Sequence, residues 1–220
     1  MNFLDRRPKR DITPAMREAV LEDLPELAEI GHEELRHKCI DVWCLALSET
    51  GFLRVRDVPG ESNPGQFALR SGDQATHLRG VTRIALSIAR EFAAMDPRVV
   101  IDMDLVIAGG LTHDVGKPWE FDPENRRRWT EDPSASGLPS LRHSVYGAHL
   151  CIAVGLPEAI AHMALAHSHE GEGVIRSLEC LIVQRADHLW WAIAGGCGLL
   201  EPGGDAILAG RRIAPRPLRG

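Results

Sequence analysis

Six residues carry the chemical interest of this 220-residue chain: His77, the adjacent pair His113-Asp114, His143, His167 and Asp187. An imidazole nitrogen and a carboxylate oxygen side by side can grip one metal ion from two sides, and the remaining four offer the same donor types at wide spacing. A lone His-Asp pair occurs by chance. An ordered series, with each further member on its own helical segment, is what a metal site inside a helical protein requires. Asp187 sits among Ile182, Val183, Ala186 and Leu189, a face on which a carboxylate is costly unless it is paired or ligates metal. Pairing with Arg185 or His188 is the plainer account of it. His143 opens one predicted helix and His167 ends another, and with Asp114 as a bridge they can hold a second ion beside the first. Two ions sharing a bridge can generate a hydroxide nucleophile and clamp the oxygens of a substrate.

The elements that must position these residues read mainly as helices. Thr13-Pro14 is an N-cap followed by proline at the first helical position, opening a segment to about Glu22. Leu27, Ile30, Leu35, Cys39, Val42 and Leu45 follow helical spacing from Pro25 to Ser48. Residues 51–73 carry Pro59-Gly60 and Asn63-Pro64-Gly65 and read as a loop with one short strand. His77, Val81, Ile84, Ala85 and Ile88 then form one stripe to about Ala94, and Asp102–His113 is a compact apolar helix. Lys117-Pro118 breaks that helix, so 118–140 reads as a long loop of the kind that forms lids or binding elements. Further helices are expected at 141–154, 157–169 and 174–200. The first dozen residues read as frayed, and the basic, proline-containing end of the chain as loose.

Composition bounds the rest. With 44% hydrophobic residues but only 5% aromatics, the core must be built from Ala, Leu, Ile and Val, which favours helices over strands. The expected class is all-α. A formal charge of −6 argues against a broad nucleic-acid surface. Five cysteines with no CxxC pair read as buried thiols in a reducing compartment. No secretory signal pattern or membrane-length apolar run is visible, so a cytoplasmic location is expected.

The stretch Leu111-Thr112-His113-Asp114-Val115-Gly116-Lys117 closely resembles the central motif of the HD superfamily of metal-dependent phosphohydrolases. His77, His113-Asp114 and Asp187 resemble its ligand signature over roughly residues 75–190. His143 and His167 resemble the additional ligands of its binuclear branch, which holds the HD-GYP cyclic-di-GMP phosphodiesterases and di-iron oxygenases such as myo-inositol oxygenase. The resemblance implies a helical HD-type bundle, placed over 73–205; the patterning outside it reads as an N-terminal helical extension and loop over 1–72, which resembles no family motif, and a loose tail over 206–220. It implies His77, His113, Asp114 and Asp187 on a first divalent metal (iron, manganese or another transition metal), with His143, His167 and the bridging Asp114 on a second. It further implies Asp114 and Lys117 as the catalytic pair, with Lys117 touching an anionic or polyol substrate. His167-Ser168-His169-Glu170-Gly171 departs from the His-His-Glu run of HD-GYP proteins, and no Gly-Tyr-Pro follows, so cyclic-di-GMP is not the expected substrate.

The expected function is a metal-dependent hydrolase, phosphohydrolase-like, acting on a small anionic substrate; the alternative is a di-iron oxygenase on the same scaffold. Helical domains of this type pair through a spare apolar face, so a homodimer is in keeping. Arg142 can bind a phosphate or carboxylate, whereas Arg126, Arg127 and Arg128 read better as a solvated charge run. His169 competes with His167, but two positions on a helix point about 200° apart, so only one faces the site. His149, His162 and His188 read as surface or partly buried residues, and His32 and His37 as exposed. Trp190-Trp191 reads as core packing and not as a substrate wall.

Overall fold

The computed structural model describes residues 9–203; the expectations for the first eight residues and for the tail at 206–220 lie outside them. Helix α1 (Pro14–Asp23) starts as its sequence signal requires, with the Thr13 hydroxyl accepting the Met16 N–H and Pro14 in the first turn. The single segment expected over Pro25–Ser48 is split into a 3₁₀ turn (Pro25–Glu29) and α2 (Glu33–Ser48). The break at Gly31-His32 is held from outside. The Asp104 carboxylate accepts both of their N–H groups at 3.0 and 2.8 Å, and His32 Nδ1 caps the new helix at Leu35.

A two-stranded antiparallel hairpin follows, β1 (Pro59–Glu61) and β2 (Ala68–Asp73), where one short strand was expected. Asp73 then caps α3 (Gln74–Met95) by accepting the Thr76 N–H at 2.8 Å. His77, Val81 and Ala85 of the stripe read from the sequence lie on the buried face of α3 with Leu78, Thr82, Leu86 and Ala89, while Ile84 and Ile88 are only partly buried at its margin. Helix α4 (Met103–Thr112) is buried from Val106 onward and lies at the centre of the molecule, touching α2, α3, α9 (Glu158–Ala166) and α10 (Leu178–Gly196). Its approach to α3 needs Gly110, because a Cβ there would stand 2.6 Å from Thr82 Oγ1 and 3.0 Å from Thr82 Cα. The end of α4 is held by Trp43 of α2, whose indole N–H donates to the Leu111 carbonyl at 2.9 Å.

Residues 118–140 are not the long loop expected. They form α5 (Lys117–Phe121), α6 (Pro123–Glu131) and α7 (Pro133–Ser136). Pro118, read as a breaker, sits in the first turn of α5 behind Gly116, and Pro123 and Pro133 sit in first turns behind capping aspartates. Asp122 accepts from Glu124 and Asn125, and Asp132 from Ala135. Helix α8 (His143–Ala153) then packs closely on α9, a 3₁₀ turn (His169–Gly173) follows, and α10 begins behind the Ser177 cap.

The described residues are all-α apart from the hairpin. Val20, Leu24 and Trp43 from the first helices share one buried cluster with Leu111, Ile160 and Val183. Among the described residues no helix is long and apolar enough to cross a membrane.

Candidate metal centre

The six sequence-selected residues converge in the structure. His77 lies in the first turn of α3, His113 closes α4 with Asp114 next to it, His143 is the first residue of α8, His167 closes α9, and Asp187 projects from α10. The four histidines and Asp114 are each 3% exposed or less.

Local structure sets the direction of three rings. His113 and His167 each end a helix and turn Nδ1 back onto the carbonyl three residues earlier, Gly110 and Ala164, at 2.9 Å. A carbonyl only accepts, so Nδ1 carries the proton and Nε2 presents a lone pair. His143 Nδ1 lies 2.5 Å from the Glu120 carboxylate, which imposes the same tautomer. Burial lowers the His143 pKa against the pull of Glu120. Burial also opposes ionisation of Glu120, but hydrogen bonding to His143 and the nearby Arg142 charge keep its carboxyl below the usual range.

Asp114 divides its oxygens between two groups of nitrogens. Its Oδ2 stands 3.3 Å from His77 Nε2 and 3.4 Å from His113 Nε2. Its Oδ1 stands 3.3 Å from both His143 Nε2 and His167 Nε2. The Nε2 atoms of His143 and His167 face each other at 3.3 Å with no proton to share, an arrangement that calls for a cation. On the other side, Asp187 Oδ1 is 3.3 Å from His77 Nε2, yet it is buried and accepts no hydrogen bond. Donor atoms on one ion, at bond lengths of about 2.0–2.2 Å, stand roughly 3 Å apart. The residues present therefore fit metal. Among the described residues, His77, His113 and Asp187 form one triad of donors able to hold an ion, and His113, Asp114 and His167 form a second.

Lys117 is not a solvated cation. It is 1% exposed, its Nζ is 2.9 Å from Asp114 Oδ2, and it donates to the Glu61 carbonyl at 2.7 Å. Burial would push the Asp114 carboxyl up, but the Lys117 ammonium, then His113 and His167, hold it well below the usual range. For Asp187 burial is likewise outweighed, by His77 first, and its carboxyl too lies low. Where the sequence suggested Arg185 or His188 as the partner of Asp187, the structure places His77 against its carboxylate. Arg142 is already engaged: it pairs with Glu120, with Glu170 at 2.9 Å, and donates to Asn63 Oδ1 at 2.5 Å. Burial opposes ionisation of Glu170, but Ser168 and Arg142 bring its carboxyl down to about 2.

Over these residues opens a cavity of about 210 Å³, lined by Ser62, Phe67, Asp114, Lys117, His143, His167, Asp187 and Trp191 among others. Trp191 packs in a buried cluster, as read from the sequence, and also forms part of the cavity wall, its ring tilted against His77 at 5.0 Å and Phe67 at 5.8 Å. His167 is the histidine that points in, while His169 is exposed at the rim. His149 is exposed, as are His37 and the capping His32, and His162 accepts the Ser177 N–H. Arg127 pairs with Glu131, and Arg128 donates to Asn125.

Sequence reasoning missed Glu120 and Gln74. Glu120 lies one turn after Lys117, and its place in a supposed loop hid it. Gln74 donates to Asp114 Oδ2 at 2.9 Å and, as the first residue of α3, gave no signal in the apolar stripe.

No curated protein and no solved structure matches the chain. The model of the HD domain matches residues 75–191, from the first turn of α3 to Trp191 of the cavity wall. That span is more than half of the chain and contains all six converging residues, and the chain belongs to the HD domain family.

Proposed function

We propose that this protein is a metal-dependent phosphohydrolase with a binuclear site, acting on a small anionic substrate. His77, His113, Asp114 and Asp187 hold one divalent transition-metal ion, and His143, His167 and Asp114 hold the other. The observation that carries this reading is the division of Asp114, one oxygen toward each pair of imidazole nitrogens. Imidazole and carboxylate donors together suit iron, manganese, zinc or cobalt better than magnesium or calcium. Metal bound there would supply the Lewis acidity and the acidified water that ester hydrolysis needs.

The protein's own groups do the remaining work. Lys117 uses two of its three N–H donors on Asp114 and Glu61, leaving one for a substrate oxygen in the cavity it lines. Arg142, neutralised by two carboxylates, orders the rim and adds little net charge. Trp191 and Phe67 wall the cavity on its apolar side and limit the access of bulk water.

Elemental analysis of protein purified without oxygen or added metal tests the reading, and about two ions per chain are expected. Asp114→Ala should bring the content below one and lower phosphoester turnover by roughly two orders of magnitude or more. One ion per chain would remove His143 and His167 from the ligand set, and full activity in metal-free protein would sink the proposal. The same donors serve a di-iron oxygenase. Turnover that persists under strict anoxia favours the hydrolase, and turnover that requires oxygen replaces it with the oxygenase.

A further inference from the structure

The cavity over Asp114 has a second cavity beside it that shares three of its wall residues. Asn63, Gln66 and Arg142 line both, and the other walls of the second, a cavity of about 440 Å³, include Trp129 and Arg126 of α6 and Leu138-Pro139. The metal-side chamber, at about 210 Å³, has the volume of roughly seven liquid waters. Pockets that hold a whole organic ligand run from about 300 to 1,000 Å³. A phosphoryl group and its ions would fill the smaller cavity, and the larger one is the adjoining space that can take the rest of an organic ester.

The chemistry of the larger chamber is specific. One side is apolar: Trp129, Pro139, and Leu138, which is left 60% exposed. Arg142, at the junction, is already neutralised by Glu120 and Glu170. Arg126 is different. Its neighbours Arg127 and Arg128 each have a side-chain partner, whereas the Arg126 guanidinium has none among the described residues. A second unmatched polar group lies on the metal side, where the Ser62 hydroxyl is buried without a hydrogen-bond partner in the smaller cavity.

We infer that the substrate is a two-ended anion. Its scissile phosphoryl group lies over Asp114 within reach of Lys117 and Ser62, an apolar spacer lies along Trp129 and Leu138, and a second anionic group meets Arg126. This rests on the phosphohydrolase reading above and adds the substrate class to it. A charge-assisted hydrogen bond to the second anion contributes about tenfold or more in affinity.

Calorimetric titration with non-hydrolysable probes tests the inference: alkane-α,ω-bisphosphonates of three to eight carbons against alkylphosphonates of the same lengths, on metal-loaded protein. At the matching length the bisphosphonate is expected to bind at least about tenfold tighter than its one-ended counterpart. In Arg126→Gln that ratio should fall to near one, and Arg126→Lys should keep most of it. Equal affinities at every length in the native protein would overturn the inference, as would a ratio that survives in Arg126→Gln. Arg126 has no partner to lose, so these variants keep the fold, which far-ultraviolet circular dichroism checks. Repeating the titration on chelated protein separates the two ideas. An alkylphosphonate that binds equally with and without metal counts against the binuclear site, whereas the Arg126 ratio is read independently of it.

Discussion

At the scale of single residues, the centre depends on groups that never reach the cavity's middle. Glu120 is 1% exposed and contacts both the ring and the backbone N–H of His143. It fixes which nitrogen of His143 points inward, and its negative charge raises the basicity of that nitrogen. Glu120→Gln keeps the size of the side chain but removes the charge, so metal affinity should fall by about 10- to 100-fold. Competition against a fluorescent chelator measures this, and an unchanged affinity would show that His143 is oriented by packing alone. The six converging residues were legible from type and order because donors of metal are few kinds of side chain, and Asp187 showed itself as a charge on an apolar face. Glu120 was not legible. A glutamate carries no pattern of its own, and only the fold brings it to α8.

At the scale of elements, the site is an arrangement of helix ends, and the turn Asp114–Lys117 must lie directly against the start of α8. Gly116 makes this contact. A Cβ there would stand 2.0 Å from the His143 carbonyl oxygen and 2.7 Å from the Gly147 nitrogen, both backbone atoms that cannot rotate away. Gly116→Ala should therefore destabilise the protein by about 3 kcal/mol, a fall in Tm of about 10 °C for a chain of this size. Thermal unfolding followed by circular dichroism decides it, and a shift under about 2 °C would mean that α5 and α8 have slack. Element types were read well where a face repeats: α3 follows its stripe, and α1 follows its Thr-Pro cap. They were misread where tertiary contacts or caps decide. Asp122-Pro123 and Asp132-Pro133 are starts, though proline inside a polar run reads as a stop. The break before α2 depends on Asp104, 72 residues from His32, and no local window contains that.

At the scale of the whole molecule, the first helices and the HD helices bury a common core, and the thiols report on it. Burial pushes Cys151 up to about 12 and both Cys44 and Cys180 up to about 11, and it raises Cys39 as well, with Cys151 nearby adding to it. Cys197 alone is exposed. One thiol of five should react promptly with an aromatic disulfide reagent, and the rest only on unfolding. Fast reaction of two or more in native protein would mean that the core opens locally. The hairpin joins these distant parts. The carbonyl of Glu61 at the end of β1 accepts from Lys117, while Leu69 bridges Leu200 and Arg70 donates to the carbonyls of Leu199 and Leu200. In the order of synthesis this places a constraint on the nascent chain, which leaves the ribosome at about 5–20 residues per second. Arg70 of the hairpin is made 130 residues before Leu200, whose carbonyl it binds, so the mouth of the pocket closes well after the hairpin that anchors the site lysine has emerged.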